Sequence, residues 1–302
     1  MKDVHQVAIV GAGPAGIACA IYLKRAGINL LLLEHNTIGG LLVNANLVGN
    51  YPGFPNGITG ERLAVLFRMH LHRCGIQVTK ARVRRIERDG EDFRLHVDGS
   101  QFRSRYLVVA TGTRAKSIKL RGLGGLIGVK IFYEVASLPA RSSKSKFVVI
   151  GGGDAAFDYA LGLAGRGGDV DLVFRSEQPT SLPLLRERVV AESRIHEFAG
   201  TTPVSVSMRH SKVELSCRKL GRKIALHGDY ALVACGREPS LEILSPGLRA
   251  SLRADAGCEG RSRMFMIGDV RRGDDRQVGI AVGDGMLAAM RIVDLIRREG
   301  AA

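Results

Sequence analysis

Three observations predict an α/β protein built from two separate parallel-sheet domains. The chain has 302 residues, which at roughly 150 residues per domain suits two of them. A short apolar run ending in a glycine-rich turn and leading into an apolar helical stretch occurs twice, the two turns starting 140 residues apart at Gly11 and Gly151. Hydrophobic residues make up 45% and charged residues 24%, enough to bury sizeable cores and outside the ranges of disordered or collagen-like chains.

The first copy begins with a buried-strand pattern over 7–10, then Gly11-Ala12-Gly13-Pro14-Ala15-Gly16, then a helical pattern over 17–23. Pro14 suits the first helical turn, where its missing N–H costs nothing. A second strand over 30–33 ends at Glu34, 18 positions past Gly16, the spacing that places a carboxylate on a ribose hydroxyl. Strand, turn, helix, strand and acid in register form a Rossmann-like dinucleotide fingerprint. A glycine turn that merely packs a helix closely on a sheet is the simpler alternative.

The second copy follows a strand over 147–150 as Gly151-Gly152-Gly153-Asp154-Ala155-Ala156, with a helix from Phe157 and a strand over 170–174. Two dinucleotide sites imply two cofactors, and a flavin plus a nicotinamide is the economical pair. In each, the glycines let the backbone approach a pyrophosphate and the helix N-terminus supplies oriented N–H groups. Gly151, Gly153, Asp154, Ala155 and Ala156 are the candidates in the second turn. The position equivalent to Glu34 is Phe174, followed by Arg175. Arginine welcomes a 2′-phosphate, so the reading leans to NADPH, with NADH left open by the nearby Glu177.

Lys and Arg number 44 against 29 Asp and Glu, a net charge of +15. It is spread over the chain, +8 on 114–241 and +7 elsewhere. Such a surface attracts nucleic acid, anionic lipid or an acidic protein. Arg82, Arg84 and Arg85 and the run Arg218 to Lys223 form basic clusters, yet aromatics are 5%, Trp is absent and no nucleic-acid motif occurs, so nucleic acid is not expected as a partner. No apolar run approaches the ~20 residues of a membrane span. The five cysteines are irregularly spaced, without a disulfide framework or any CxxC. The first strand feeds directly into the glycine turn with no leader pattern, so the cytoplasm is expected. His70 and His72, two positions apart on a helical stretch, face different sides, and no metal site is expected.

The succession GAGPAG (11–16), GG (39–40), NYPGFP (50–55), ATG (110–112), GGGDAA (151–156), CGREP (235–239) and IGDVRRGDDRQV (267–278) resembles the low-molecular-weight thioredoxin reductase family over nearly the whole chain. The resemblance implies an FAD-binding domain on 1–113 and 242–302, with an NAD(P)H-binding domain on 114–241 inserted in it. It places Gly11, Gly13, Pro14 and Ala15 on the FAD pyrophosphate and Glu34 on the adenosine ribose. Gly39, Gly40 and Leu41 would lie along the cofactor, and Asn50 near the isoalloxazine. Gly268 would sit beside Asp269, which would bond the ribityl chain or cap a helix. Arg276, Gln277 and Val278 would reach the flavin end at the start of the last helix. Thr111, Gly112 and Gly236 would lie near the interdomain crossings. The family usually forms homodimers.

Members of that family carry a redox-active CxxC shortly before the second glycine cluster, where this chain reads GVKIFYEVAS over 128–137. By register the cysteines are replaced by Glu134 and Ser137, which cannot form a disulfide, so thioredoxin reduction by that route is not expected. Glu134 and Ser137 could serve as proton donor and hydrogen-bond partner near the flavin, or belong to a solvated loop. GGGDAAFDYAL and FYEV resemble a branch that also lacks CxxC and passes electrons from NADPH through FAD to ferredoxin or flavodoxin. That branch usually has a C-terminal extension over the flavin, whereas this sequence stops at Ala302, which leaves the acceptor open. An acidic ferredoxin or flavodoxin, or an iron–sulfur enzyme, fits the +15 charge. Arg271, Arg272, Arg141, Lys144 and Lys146 are the docking candidates. A flavin oxidase or small-molecule reductase with Glu134 or Tyr51 in its pocket, and a non-enzymatic redox sensor, are the alternatives.

Overall fold

The computed structural model describes residues 4–254 and 263–301. In chain order the first elements are β1 (His5–Val10), α1 (Pro14–Arg25), β2 (Leu30–Glu34), α2 (Gly60–Arg73), β3 (Val78–Lys80), β4 (Val83–Asp89), β5 (Asp92–Val97), β6 (Ser100–Val109) and β7 (Thr113–Ala115). There follow β8 (Ile131–Phe132), β9 (Lys146–Ile150), α3 (Asp154–Gly165), β10 (Asp169–Val173), α4 (Pro183–Ala191), β11 (Ile195–Phe198), β12 (Thr201–Arg209), β13 (Lys212–Lys219), β14 (Arg222–Gly228) and β15 (Tyr230–Val233). The chain closes with β16 (Arg237–Pro239), α5 (Pro246–Ala254), β17 (Met264–Met266) and α6 (Val278–Gly300). It divides into two units: Met1–Val43 with Gly49–Arg114 and Glu238–Ala302, and Asn44–Val48 with Ala115–Arg237.

Two features of this division differ from the sequence expectation. The return crossing lies at 237/238 instead of 241/242, because Ser240 is tied to Thr111 and Gly112. Its N–H donates to Gly112 O at 3.1 Å, and its carbonyl accepts Thr111 Oγ1 at 2.7 Å. Asn44–Val48, expected with the first glycine turn, belongs to the second unit. The N–H groups of Asn46 and Leu47 donate to Asp158 on α3 at 2.7 and 3.3 Å, and Asn44 Oδ1 accepts the Ala136 N–H at 2.9 Å. Burial raises the Asp158 pKa, and those two N–H groups oppose the rise.

In the first unit, β3-β2-β1-β6 run parallel, and the C-terminal half of β6 also pairs with β17. The N-terminal half of β6 forms an antiparallel meander with β5 and β4. Tyr106 to Val109 of β6 are fully buried, the unbroken apolar run of a central parallel strand covered on both faces. One face carries α1 and α6, with Ala15, Ile17, Ala20 and Leu23 packed among Ala281, Ala288, Ala289 and Ile292. These helices approach so closely that a Cβ on Gly285 would lie 2.2 Å from Ala15 O. The opposite face is covered by Phe93 and Leu95 of the meander with Leu244 and Leu248.

The second unit is a parallel sheet ordered β11-β10-β9-β15-β8. Phe157, Ala160 and Leu163 of α3 and Val189 of α4 cover one face. The antiparallel sheet β12-β13-β14 supplies Val206, Leu215 and Leu226 to the other. Cys19 and Cys217 are buried; burial raises both thiols, Cys217 to about 11, so neither is a thiolate at neutral pH. Cys258 lies outside the described residues. Among the described residues no helix is long and apolar enough to cross a membrane, and no group of three or more His, Cys, Asp or Glu could hold a metal ion.

Candidate functional site

In the first glycine turn the chain leaves β1 at Gly11, whose φ is +109° and whose Cβ would lie 2.2 Å from Ala110 O; any side chain there would collide with backbone. Gly11 N–H donates to Leu33 O at 2.8 Å, which turns the chain into α1. Gly13 is the N-cap, Pro14 starts the helix, and no side chain caps it. Gly39 N–H donates to Ala12 O at 2.7 Å, and Gly40 packs against Gly13. Glu34 reaches the same turn: Oε2 accepts the Ala12 N–H at 2.8 Å and Oε1 the Asn36 N–H at 2.7 Å. Gly268 abuts Ala15. Gly11, Gly13, Pro14, Ala15, Glu34, Gly39, Gly40 and Gly268 are therefore one cluster. An uncapped helix start behind bare glycine backbone, with a carboxylate alongside, fits the diphosphate and ribose of FAD.

Further along the unit, Asn50 Nδ2 donates to Gln277 Oε1 at 3.0 Å, bringing together two residues expected at the flavin end. Gln277 is the N-cap residue of α6, again without a side-chain cap, and Val278 is its first residue. Arg276 pairs with Asp274 at 3.4 Å. Leu41 lies half-buried in the 3-10 turn Gly40–Asn44. Asp269 lies inside the 3-10 turn Gly268–Val270, whose N-cap is Ile267, so the helix-capping alternative for Asp269 does not hold. Tyr51 stacks on Phe54 and meets Phe67 edge-on, both at 6.2 Å between centroids, and burial raises its phenol pKa.

In the second turn a Cβ on Gly151 would lie 2.4 Å from Ala234 O. Gly153 is the N-cap of α3, which has no side-chain cap, and Asp154 lies in its first turn. Ala156 is buried and Ala155 exposed. The 176–182 loop folds back along this turn, as Thr180 N–H donates to Gly152 O at 2.8 Å and Leu182 N–H to Asp154 Oδ1 at 2.8 Å. Phe174 is buried against Phe157, 5.8 Å between centroids, while Arg175 beyond it is exposed. Glu177 packs over Gly200. Gly236 O accepts the Lys116 N–H at 3.0 Å. Burial raises the Cys235 thiol and Arg175 lowers it.

In the segment standing where CxxC is expected, Glu134 is held inward while Ala136 and Ser137 are solvated. Glu134 Oε1 pairs with Arg237 at 2.6 Å and Oε2 accepts the Tyr159 O–H at 3.1 Å. The two charged side chains are only 21% and 20% exposed. Burial and the neighbouring carboxylate push the Tyr159 phenol strongly up. Ser137 is exposed, its N–H donating to Glu134 O at 3.1 Å. The two expected partners thus diverge, one held inward and one facing solvent. Two docking candidates are also engaged: Arg272 with the buried Asp284, and Lys146 with the buried Asp171 at 3.0 Å. Arg271, Arg141 and Lys144 are exposed. The sequence reading missed Tyr159, Arg237, Thr180 and Asp284. Only Asp284 left a signal, as a carboxylate on the apolar stripe of the last helix.

Two uncapped glycine turns on parallel sheets, one with the Glu34 carboxylate alongside, are the frame of an NAD(P)H-dependent FAD oxidoreductase, the class to which the family match below assigns the chain. Residues 5–285 match the family model of the pyridine nucleotide-disulphide oxidoreductases, and the chain belongs to that family. It is 30% identical over 301 residues to a thioredoxin reductase of Mycoplasma genitalium, covering 96% of this chain and 95% of the relative. It is 26% identical to a 34.2 kDa protein in the rubredoxin operon of Clostridium pasteurianum, covering 96% and 97%. The crystal structure of Lactococcus lactis thioredoxin reductase superposes with a TM-score of 0.82 at 24% identity, over 97% of this chain and 99% of that one.

Proposed function

We propose that this thioredoxin reductase-like enzyme passes electrons from NAD(P)H through FAD to an acidic protein acceptor, a ferredoxin, a flavodoxin or an iron–sulfur enzyme. It does so in the cytoplasm, as a homodimer, without a dithiol step. The observation that carries this reading is Glu134, held by Arg237 and Tyr159 where the dithiol is expected. A carboxylate so engaged can neither form nor exchange a disulfide. FAD, when bound, accepts a hydride from the nicotinamide and can give electrons up singly.

Placement supports the following roles for the chain's own residues. Gly11, Gly13, Pro14 and Ala15 hold the FAD diphosphate at the start of α1, and Glu34 holds the ribose. Asn50 and Gln277, bonded to each other, fix the approach to the start of α6, whose oriented N–H groups favour negative charge on the reduced flavin. Gly151, Gly153, Asp154, Ala155 and Ala156 hold the nicotinamide dinucleotide, with Arg175 on a 2′-phosphate. Phe174, being core, offers no carboxylate to repel that phosphate. The +15 charge steers an acidic carrier towards the surface, with Arg271, Arg141 and Lys144 as its exposed contributors. The rubredoxin-operon setting of one relative supports a protein carrier as acceptor.

Two measurements test this. Anaerobic mixing with NADPH should bleach the flavin, and cytochrome c reduction should then depend on added ferredoxin or flavodoxin and weaken as salt rises. Turnover without a carrier and without a salt effect would replace this reading with an oxidase or small-molecule reductase. Arg175→Ala should raise KM for NADPH about tenfold, the scale of one charge-assisted hydrogen bond, and leave KM for NADH nearly unchanged; equal rises would remove Arg175 from the site.

A further inference from the structure

Asp284 is the one charged residue among the buried positions of α6, which are otherwise Ala281, Gly285, Ala288, Ala289, Ile292 and Val293. A carboxylate in such a stripe is costly unless it is paired and hydrogen-bonded. Asp284 Oδ2 accepts the Gly268 N–H at 3.1 Å and the Arg272 Nε–H at 3.0 Å, and Oδ1 accepts a terminal N–H of Arg272. Gly268 and Arg272 bracket Asp269. Within the bracket, Arg271 N–H donates to Gly268 O at 2.9 Å and Arg272 N–H to Asp269 O at 3.4 Å. One buried carboxylate therefore holds both ends of the short turn that carries Asp269. The register of that carboxylate is set in turn by its neighbour Gly285, packed on Ala15 in the first turn of α1.

From this arrangement we infer that Asp284, with Arg272, is a positioning residue for FAD, fixing Asp269 relative to the glycine turn so that it meets the ribityl chain. The inference rests on the proposed contact between Asp269 and the ribityl chain. A plain brace between α6 and the loop would need only one anchor. Here the neutral N–H before Asp269 and the guanidinium after it converge on the same group, so a shift of Asp284 moves Asp269 from both sides.

The test uses the full-length protein and separates the two halves of the cofactor. Affinity for FAD is titrated directly. The constant with which ADP displaces FAD, read from the fluorescence of released flavin, reports the glycine-turn half alone. Asp284→Asn keeps one acceptor for Gly268 but loses the charge facing Arg272. It should weaken FAD about tenfold, the scale of one charge-assisted hydrogen bond, and leave the ADP constant within about twofold. Asp269→Asn should show the same split, and Arg272→Lys, which keeps the charge but loses the two-point grip, a smaller one. Should Asp284→Asn fail to fold, Arg272→Lys carries the test. Equal loss of FAD and ADP affinity would make the pair a structural brace. Unchanged FAD affinity in Asp284→Asn, with Asp269→Asn impaired, would overturn the positioning role. Unchanged affinity in Asp269→Asn would remove the ribityl contact itself, and with it this inference.

Discussion

Replacing Gly151 with alanine should slow flavin reduction by NAD(P)H at least about a hundredfold, the scale on which a reactant misplaced by about 1 Å loses rate, while FAD stays bound. The reason is local and steric. Gly151 has φ +152°, and an added Cβ would lie 2.4 Å from Ala234 O and 3.0 Å from Ala156 Cβ. Ala234 cannot withdraw freely, because its N–H donates to Ile150 O at 2.8 Å and β15 is in register with β9. The turn must move instead, and with it Gly153 and the start of α3. The first glycine turn belongs to the other unit, so FAD content should be unchanged. Stopped-flow bleaching near 450 nm, with flavin stoichiometry measured on the same sample, checks both halves; a reduction rate within threefold of the parent would show that Gly151 does not shape the nicotinamide site.

Arg237→Met should lower the melting temperature more than the double variant Glu134→Leu/Arg237→Met. The single change strands the Glu134 carboxylate in a half-buried site with the Tyr159 hydroxyl as its remaining donor among the described residues, whereas the double change removes both charges. The pair lies between a fully buried one and a surface one, so a loss of about 2 kcal/mol is expected for the single variant. That corresponds to about 3 °C in a chain of 302 residues. Glu134→Gln, which still accepts from Tyr159 and Arg237, should lose less. A thermal-melt series of the parent, Glu134→Leu, Arg237→Met and the double variant measures the coupling. Additive losses would mean that the contact contributes nothing beyond its parts, and Glu134 would return to the role of a loop residue open to proton transfer.

The two glycine turns were legible because each signal is local. Strand, glycines, helix and acid fall within one short stretch, and the backbone geometry they need is met by residue type at fixed spacing. Glu34 meeting Ala12 follows from that spacing, whereas Gly39 and Gly40, which close on the same turn, are placed beside the cofactor only by the family resemblance. Glu134 was not legible in this way. Its partner Arg237 is 103 positions away, and a charged residue after an apolar pair looks the same whether it is solvated or paired. Continuity along the chain puts Asn44–Val48 in the first unit, whereas the N–H groups of Asn46 and Leu47 find their acceptor on α3. Of the basic residues singled out for docking, Arg272 and Lys146 gave no hint in the sequence that buried carboxylates had claimed them.

The length and the repeated fingerprint already carried the two-domain architecture and the class of cofactor, since a tight strand-to-helix turn admits almost no residue but glycine and so writes itself into composition. The missing CxxC was equally plain, as a dithiol cannot be disguised. What the packed chain added is which charges remain available. Ion pairing depends on sheet order and helix register, which bring Glu134 to Arg237 and Asp284 to Arg272; a carboxylate's neighbours in space are not its neighbours in the string. The net charge of +15 is a property of the sequence, but which of its cations can greet a partner is a property of the fold.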